Sequence, residues 1–266
     1  MTTGDRFVEK ALEGEPIDQC TVIDIHGHIG PEAPDFPIAD PGLEAMIASM
    51  DRMGIDLACV SGLPGLFGDA ARGNRLVQNA LERYPDRFWG YITVDIGYPK
   101  RIYPELERRL EVGFRGIKIW STGLRPGLPY DHPNYEGVFD FANVHRLPVL
   151  AHTWGDELDQ LEPAIQRSTN VHWLLAHAGA QQVEKYVRFA RTYPNVFLEL
   201  AWSKCPRGLV EYFVDEGLAD NVVWGSDATF LDAAQQLGRV LFAKISPRDK
   251  QKILGENAHR ALRLQT

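Results

Sequence analysis

Eight short runs of aliphatic, β-branched and aromatic residues recur along the 266-residue chain, and amphipathic stretches separate them. A short apolar run bounded by turn residues predicts a buried strand, and apolar residues spaced by three or four predict a helix. The predicted strands are 22–29, 57–61, 88–94, 116–120, 148–152, 171–177, 196–201 and 222–227. Strands that alternate with helices form parallel sheets, because the chain must cross back over the sheet between parallel neighbours.

Two parallel architectures fit this alternation, a doubly wound open sheet and an eightfold barrel. The count of eight strands favours the barrel, and the first strand is not followed by a Gly-x-Gly-x-x-Gly turn. We therefore predict a (β/α)8 TIM barrel. Residues 21–266 are expected to form this single domain, after a lead-in segment at 1–20. Within it, Pro163 is predicted to interrupt the helix near 158–166.

Composition excludes several classes of partner. Lys and Arg total 28 against 36 Asp and Glu, a formal charge of −8 with no basic run, so nucleic acids and membranes are not expected partners. No stretch reaches the roughly 20 apolar residues of a membrane span. Cys20, Cys59 and Cys205 form no Cys-x-x-Cys pair, and the first 15 residues lack the apolar core of a signal peptide. A cytoplasmic protein that acts on a small molecule is the expectation.

Four histidines and one aspartate fall at the carboxyl ends of predicted strands. His26 and His28 end the first strand, His152 the fifth, His177 the sixth and Asp227 the eighth. The carboxyl ends of barrel strands open on one face, so these side chains are expected to converge there. Three imidazoles and a carboxylate suit a divalent ion, zinc first, with manganese or iron tolerated by the same donors.

Strand parity predicts which of these side chains face inward. Residues two apart share a face, so Asp24, His26 and His28 are expected to point into the barrel together. Lys118 lies between two isoleucines of the fourth strand and is also predicted to point inward. A buried lysine must be paired, neutralised or modified. It can bridge two metals as a carbamate, bind a substrate carboxylate or pair with an acid as an ammonium, or serve as a structural ion-pair partner.

Further candidates lie beside this cluster. Glu199 on the seventh strand is either a partner that orients a ligand histidine or a structural charge. Trp120, Trp154 and Trp202 follow the fourth, fifth and seventh strands, where they either line an aromatic pocket or pack in the core.

The long loop after the fourth strand offers two more pocket candidates. Arg125 is a candidate anchor for a substrate carboxylate, and His132 is a candidate substrate contact.

Six short motifs stand out along the chain: IDIHGH at 23–28, GIK at 116–118, AHT at 151–153, AHAG at 176–179, WGSD at 224–227 and GENA at 255–258. Together they resemble the amidohydrolase superfamily, and within it the amidohydrolase-related branch of aminocarboxymuconate-semialdehyde decarboxylase-like enzymes and lactonases. The resemblance spans residues 22–262.

The resemblance implies a (β/α)8 barrel of the metal-dependent hydrolase type, with a metal at the strand carboxyl ends and residues 21–266 as the catalytic domain. Carried over by position, the metal ligands are His26, His28, His152 and Asp227. It also implies that His177 stands beside the metal as a catalytic residue, and that Lys118 occupies the position carbamylated in other branches. One metal ion is more usual than two in this branch, and a homo-oligomer is a family-level expectation.

These residues predict a metal-dependent hydrolase that cleaves an amide or lactone bond in a small carboxylated molecule. Asp227 acts as general base toward a metal-activated water, and His177 stabilises the oxygen that gains negative charge. The alternative is non-oxidative decarboxylation of an aromatic or muconate-like acid. A third hypothesis is a metal-binding barrel without catalytic activity.

Overall fold

The computed structural model describes residues 4–31, 38, 40, 42–121, 127–202 and 206–264. All eight predicted strands are confirmed in this part of the chain. They are β1 (Ile23–Ile29), β2 (Leu57–Gly62), β3 (Phe88–Ile92), β4 (Gly116–Ile119), β5 (Val149–His152), β6 (Trp173–Ala176), β7 (Val196–Glu199) and β8 (Val222–Val223). Each strand pairs in parallel with the next, in the order β1 to β8.

The last strand returns to the first, which nearly closes the barrel. The backbone N–H of Ile25 donates to the carbonyl of Trp224 at 3.2 Å, and that of Asp227 donates to the carbonyl of His26 at 2.7 Å. An isolated parallel bridge joins Gly27 and Ala228. The predicted (β/α)8 barrel is therefore confirmed, and its closure brings residues 224–228 against the His-x-His segment of β1.

Twelve α-helices lie within the described residues, mostly between the strands. They are α1 (Arg6–Glu13), α2 (Leu43–Met53), α3 (Leu63–Leu66), α4 (Ala70–Arg83), α5 (Pro99–Glu111), α6 (Glu136–His145), α7 (Glu157–Arg167), α8 (Val183–Thr192), α9 (Leu209–Asp215), α10 (Ala233–Leu241), α11 (Pro247–Gln251) and α12 (Asn257–Leu262). A 3₁₀ turn (Pro133–Tyr135) and a π turn (Lys252–Glu256) complete these elements. The division of the chain into a lead-in at 1–20 and a domain at 21–266 stays a prediction.

The core has two layers, inside the barrel and between barrel and helices. Cys59, Tyr91, Leu150, Leu174 and Phe197 are among the buried residues of the inner layer. The outer layer holds the apolar faces of the helices against the opposite faces of the strands. Filling of the barrel by side chains leaves open space only at its ends, so a site forms where the strands finish. No helix in the described part of the chain has the length and hydropathy needed to cross a membrane.

Strand β1 departs from simple alternation, which corrects one prediction. Ile23 and Ile25 lie in the inner layer, whereas Asp24 faces outward and accepts hydrogen bonds from the backbone of His26 and from Ser226. The pairing of β1 with β2 shifts register between Asp24 and Gly27. A bulge of this kind reverses the alternation of faces. The expectation that Asp24 shares the inward face with the two histidines is therefore wrong.

Candidate active site

Three of the predicted metal ligands meet at the carboxyl end of the barrel. The Nε2 atom of His28 lies 3.0 Å from Oδ1 of Asp227, and the Nε2 atom of His26 lies 3.5 Å from the same oxygen. Ligand atoms of these three residues all lie within 4.8 Å of one another. Barrel closure between β8 and β1 produces this contact, because the two strand ends are adjacent only in the folded chain.

Hydrogen bonds on the far sides of both imidazoles orient their Nε2 atoms toward Asp227. The Nδ1 atom of His26 lies 2.8 Å from Oε2 of Glu199, and the Nδ1 atom of His28 lies 2.8 Å from Oγ of Ser61. With Glu199 ionised, its carboxylate only accepts, so His26 carries its proton on Nδ1 and presents a lone pair at Nε2. The Ser61 hydroxyl accepts or donates, so it tolerates either tautomer of His28.

Glu199 links three strands beneath the site. Besides His26, its carboxylate accepts hydrogen bonds from the backbone N–H groups of His177 and Ala201. Complete burial raises the pKa of Glu199 to about 7. Of the two interpretations of Glu199, the orientation of a histidine is the one that these contacts support.

His152 and His177 form a second pair of imidazoles. The Nδ1 atom of His177 faces the carbonyl oxygen of Ala201, which can only accept, so this nitrogen carries the proton. The Nε2 atom of His177 then accepts from Nδ1 of His152 at 3.1 Å. The remaining Nε2 of His152 is buried and has no hydrogen-bond partner among the described residues. This chain of hydrogen bonds leaves His152 with an unused lone pair.

The donor set fits a divalent ion. Burial lowers the pKa of His26, His28 and His152, which keeps the rings neutral as ligation requires. Burial by itself would raise the pKa of Asp227. The neighbouring imidazoles have the larger, opposite effect, so the pKa lies below its usual value and the carboxylate is ionised. His152 is not in the group whose atoms all lie within 4.8 Å of one another. Its orphaned Nε2 is nevertheless a donor of the type that such an ion uses.

Lys118 points into the same cluster, as strand parity predicts. Its Nζ atom lies 2.9 Å from Nε2 of His26, and the side chain is buried. Burial lowers the pKa of Lys118 to about 8, against the attraction of Asp227 and Glu199. The 2.9 Å distance places the lysine in direct contact with His26, a predicted metal ligand.

Two of these residues have unusual backbone conformations. His177 has a φ of 59° and Asp227 a φ of 57°, in the left-handed region that residues other than glycine rarely adopt. Each follows the end of its strand, where the chain turns away from the barrel. Such conformations cost about 1–3 kcal/mol and persist only where surrounding contacts hold them, often at functional sites.

A cavity of about 240 Å³ opens above the cluster. Its polar lining residues are His26, His28, Lys118, His152, His177 and Asp227. Its apolar lining residues are Leu66, Phe67, Trp120, Trp154, Trp202, Phe230 and Leu231. The cavity thus combines a charged cluster with largely aromatic walls.

All three predicted tryptophans line this cavity. Trp154 stacks on His177 with ring planes 17° apart, and Trp120 lies against His152 with ring centroids 5.0 Å apart. Of the predicted loop residues, His132 does not line the cavity, and its Nδ1 instead accepts from the backbone of Asn134. Arg125 lies outside the described residues.

Sequence reasoning missed Phe67, Phe230 and Ser61. Phe67 follows β2 and Phe230 follows Asp227 by three residues, so both lie after strand ends, the signal already used for the histidines. Ser61 lies within β2, two residues from the inward-facing Cys59. Strand parity therefore could have identified it.

A more open cavity of about 510 Å³ lies on the outer side of β1, against α2. Its buried carboxylate is Asp24, whose oxygens already accept three hydrogen bonds. Met46, Met50 and Met53 of α2 also line it. It holds none of the predicted metal ligands.

No curated protein matches the sequence. Solved structures of other proteins nevertheless share this architecture. Among solved structures, 2,6-dihydroxybenzoate decarboxylase from Rhizobium is 18% identical with a TM-score of 0.76, covering 92% of this chain and 99% of that one. The manganese complex of 5-carboxyvanillate decarboxylase from Novosphingobium aromaticivorans is 16% identical with a TM-score of 0.69, covering 94% and 99%.

A hydrolase is also among the similar structures. A probable 2-pyrone-4,6-dicarboxylic acid hydrolase of Acinetobacter baumannii is 16% identical with a TM-score of 0.70, covering 92% of this chain and 100% of that one. At these identities the likeness concerns the fold. The family model described as amidohydrolase matches residues 23–264, nearly the whole chain. The chain therefore belongs to the amidohydrolase family of enzymes.

Proposed function

We propose that the protein is a metal-dependent hydrolase that cleaves an amide or lactone bond in a small carboxylated molecule. The observation that carries the proposal is the meeting of His26 Nε2, His28 Nε2 and Asp227 Oδ1 at the base of a closed-in cavity. These atoms, with the unpartnered Nε2 of His152, would hold one divalent ion, zinc first and manganese or iron as substitutes. When bound, such an ion lowers the pKa of water and polarises a carbonyl group.

Asp227 is the proposed general base. Its Oδ1 contacts the two imidazoles, which leaves Oδ2 to take a proton from the attacking water and return it to the leaving group. His177 is the proposed group that stabilises the oxygen that gains negative charge. Its Nδ1 proton is held by the carbonyl of Ala201 and its Nε2 accepts from His152 at 3.1 Å, so this role requires the two rings to separate and Nε2 to take up a proton before it donates.

Lys118 is the proposed anchor for the substrate carboxylate. It is the one cationic side chain among the described residues that line the cavity. Trp120, Trp154 and Trp202 would enclose the rest of the molecule. A cavity of about 240 Å³ limits the substrate to a single ring or a short chain. A net charge of −8 supports a small-molecule partner rather than a nucleic acid or a membrane, and free Cys20 and Cys59 support a cytoplasmic location.

Decarboxylation is the second candidate, and the aromatic walls favour it. A flat ring between Phe67, Phe230 and the tryptophans would direct its carboxylate toward the only lining cation described. A proton from water, passed on by Asp227, would first add to the ring carbon, and carbon dioxide would then leave as the electron pair of the broken carbon–carbon bond restores the ring. Both reactions use Asp227, so a variant of this residue cannot tell them apart. The products of the reaction distinguish them.

The test begins with elemental analysis of the purified protein. The metal-loaded enzyme is then incubated with panels of lactones, amides and hydroxybenzoates, and acid release and carbon dioxide release are recorded separately. We expect acid release without carbon dioxide. Carbon dioxide release would establish the decarboxylase instead, and a fully loaded enzyme without any turnover would favour the inactive barrel.

Two variants test the role of Asp227. Asp227→Asn should abolish turnover while the circular dichroism spectrum stays unchanged. Asp232→Asn is the matched control, because within the described part of the chain this carboxylate accepts a helix-capping hydrogen bond from Ala234, which asparagine preserves. Turnover near the wild-type rate in Asp227→Asn would contradict the assignment.

A further inference from the structure

We propose that Lys118 and the metal ion compete for the same lone pair of His26, so that binding of the ion displaces the lysine ammonium into the cavity. The inference rests on the proposed metal centre. Its basis is the 2.9 Å contact between Nζ of Lys118 and Nε2 of His26.

The competition follows from the hydrogen bonds of the imidazole. Glu199 accepts the proton on Nδ1 of His26 at 2.8 Å, so Nε2 carries a single in-plane lone pair. The same lone pair cannot accept a hydrogen bond from Lys118 and coordinate an ion. His26 can therefore be a ligand only after the ammonium has moved away.

Charge explains the position of the lysine ammonium beside His26. Lys118 is buried, and the carboxylates of Asp227 and Glu199 attract it. A monovalent ammonium therefore compensates part of the negative charge that the divalent ion would otherwise neutralise. The ammonium therefore weakens the affinity of the site for the ion.

The displaced ammonium has a place to go. Lys118 lines the cavity, and its four-carbon side chain is flexible enough to move by the few ångströms that the exchange requires. Among the described lining residues no other cation is present to receive an anionic substrate. Metal binding would thus do two things at once: it would place the ion, and it would free Lys118 to bind an anionic substrate.

The first test is the metal affinity of Lys118→Met, measured for Zn²⁺ and Mn²⁺ by competition with a chelating dye. Removal of the competing hydrogen bond and of the positive charge should tighten binding by about tenfold or more. Lys250→Met is the matched control, because Lys250 is equally buried but pairs with Asp5 and the carbonyl of Leu241, outside the cavity. Its affinity should equal that of the wild type.

Weaker binding by Lys118→Met would overturn the proposal, because it would make the lysine, as a carbamate, a ligand rather than a competitor. Unchanged affinity would overturn it as well. If wild type binds an ion and the variant binds it no more tightly, the further inference alone fails. If neither protein binds an ion, the proposed metal-dependent function fails with it.

A second test needs no variant. Crystal structures of wild type, with and without Zn²⁺, should differ in the distance between Nζ of Lys118 and Nε2 of His26. We expect hydrogen-bond contact in the metal-free crystal, and separation with a coordinated Nε2 in the loaded one. Retention of the contact beside a bound ion would refute the exchange.

Discussion

Replacing Glu199 with glutamine tests the network that directs His26 toward the metal site. The two carboxylate oxygens accept from Nδ1 of His26, from the backbone of His177 and from the backbone of Ala201. Glutamine offers one acceptor oxygen and one NH₂ group. Whichever way the amide is turned, its NH₂ group meets at least one N–H group, and the buried charge is lost.

The magnitude follows from the bond that is broken. A hydrogen bond to a charged group contributes about 1.5–3 kcal/mol. At about 1.4 kcal/mol per tenfold, this corresponds to a loss of metal affinity of about 10- to 150-fold. Loss of a carboxylate that orients a metal-binding histidine costs about 10- to 100-fold, in the same range. If the amide nitrogen faces His26, the proton also moves to Nε2, where it blocks ligation.

The assay is chelator competition for Zn²⁺ with folded Glu199→Gln protein. Glu157→Gln is the matched control, because this carboxylate is also buried and accepts from the backbone of Trp154, a role that an amide oxygen can fill. We expect the control to bind the ion as wild type does. Equal affinities of Glu199→Gln and wild type would refute the idea that Glu199 sets the tautomer of His26.

Three further results are expected. Gly225→Ala should weaken metal binding in the same assay, because the added Cβ would lie 2.5 Å from Oε1 of Glu199; unchanged affinity would contradict this packing argument. Leu174→Ala should lower the free energy of unfolding in urea by about 2–5 kcal/mol, since Leu174 is fully buried inside the barrel; a loss below 1 kcal/mol would speak against a well-packed interior. Burial lowers the pKa of His172, so the unfolded chain binds its proton first as pH falls through about 6.5, and stability declines there. His172→Asn should therefore lose less stability than wild type between pH 7 and 5 in chemical denaturation, and an equal loss would contradict the argument.

Local patterns in the sequence predicted the elements well, with one clear exception. Pro163 was expected to break the helix after the fifth strand, yet α7 runs from Glu157 to Arg167 with Pro163 inside it. Leu158, Leu161 and Ile165 of this helix are buried. Their packing against the barrel outweighs the single backbone hydrogen bond that proline removes.

Asn257 illustrates a different limit of local reasoning. Asparagine is a favoured residue just before a helix, but in the structure Asn257 is the first residue of α12. Its Nδ2 atom instead donates to the carbonyls of Ala219 and Val222, which belong to the segment before the eighth strand and to the strand itself. Only the packed chain brings these carbonyls within reach.

The sequence by itself determined which strand ends carry imidazoles and a carboxylate. Parallel strands of a barrel all finish on one face, so the positions of His26, His28 and Asp227 at or after strand ends were enough to predict that they meet. The tertiary structure decided which nitrogen of each ring faces the cavity and which side chain contacts that nitrogen. Those choices depend on contacts such as Glu199 with His26 and Lys118 with His26, between residues far apart in the chain. Local periodicity carries no record of them, because they arise only when the barrel closes and the bulge in β1 turns both histidines inward.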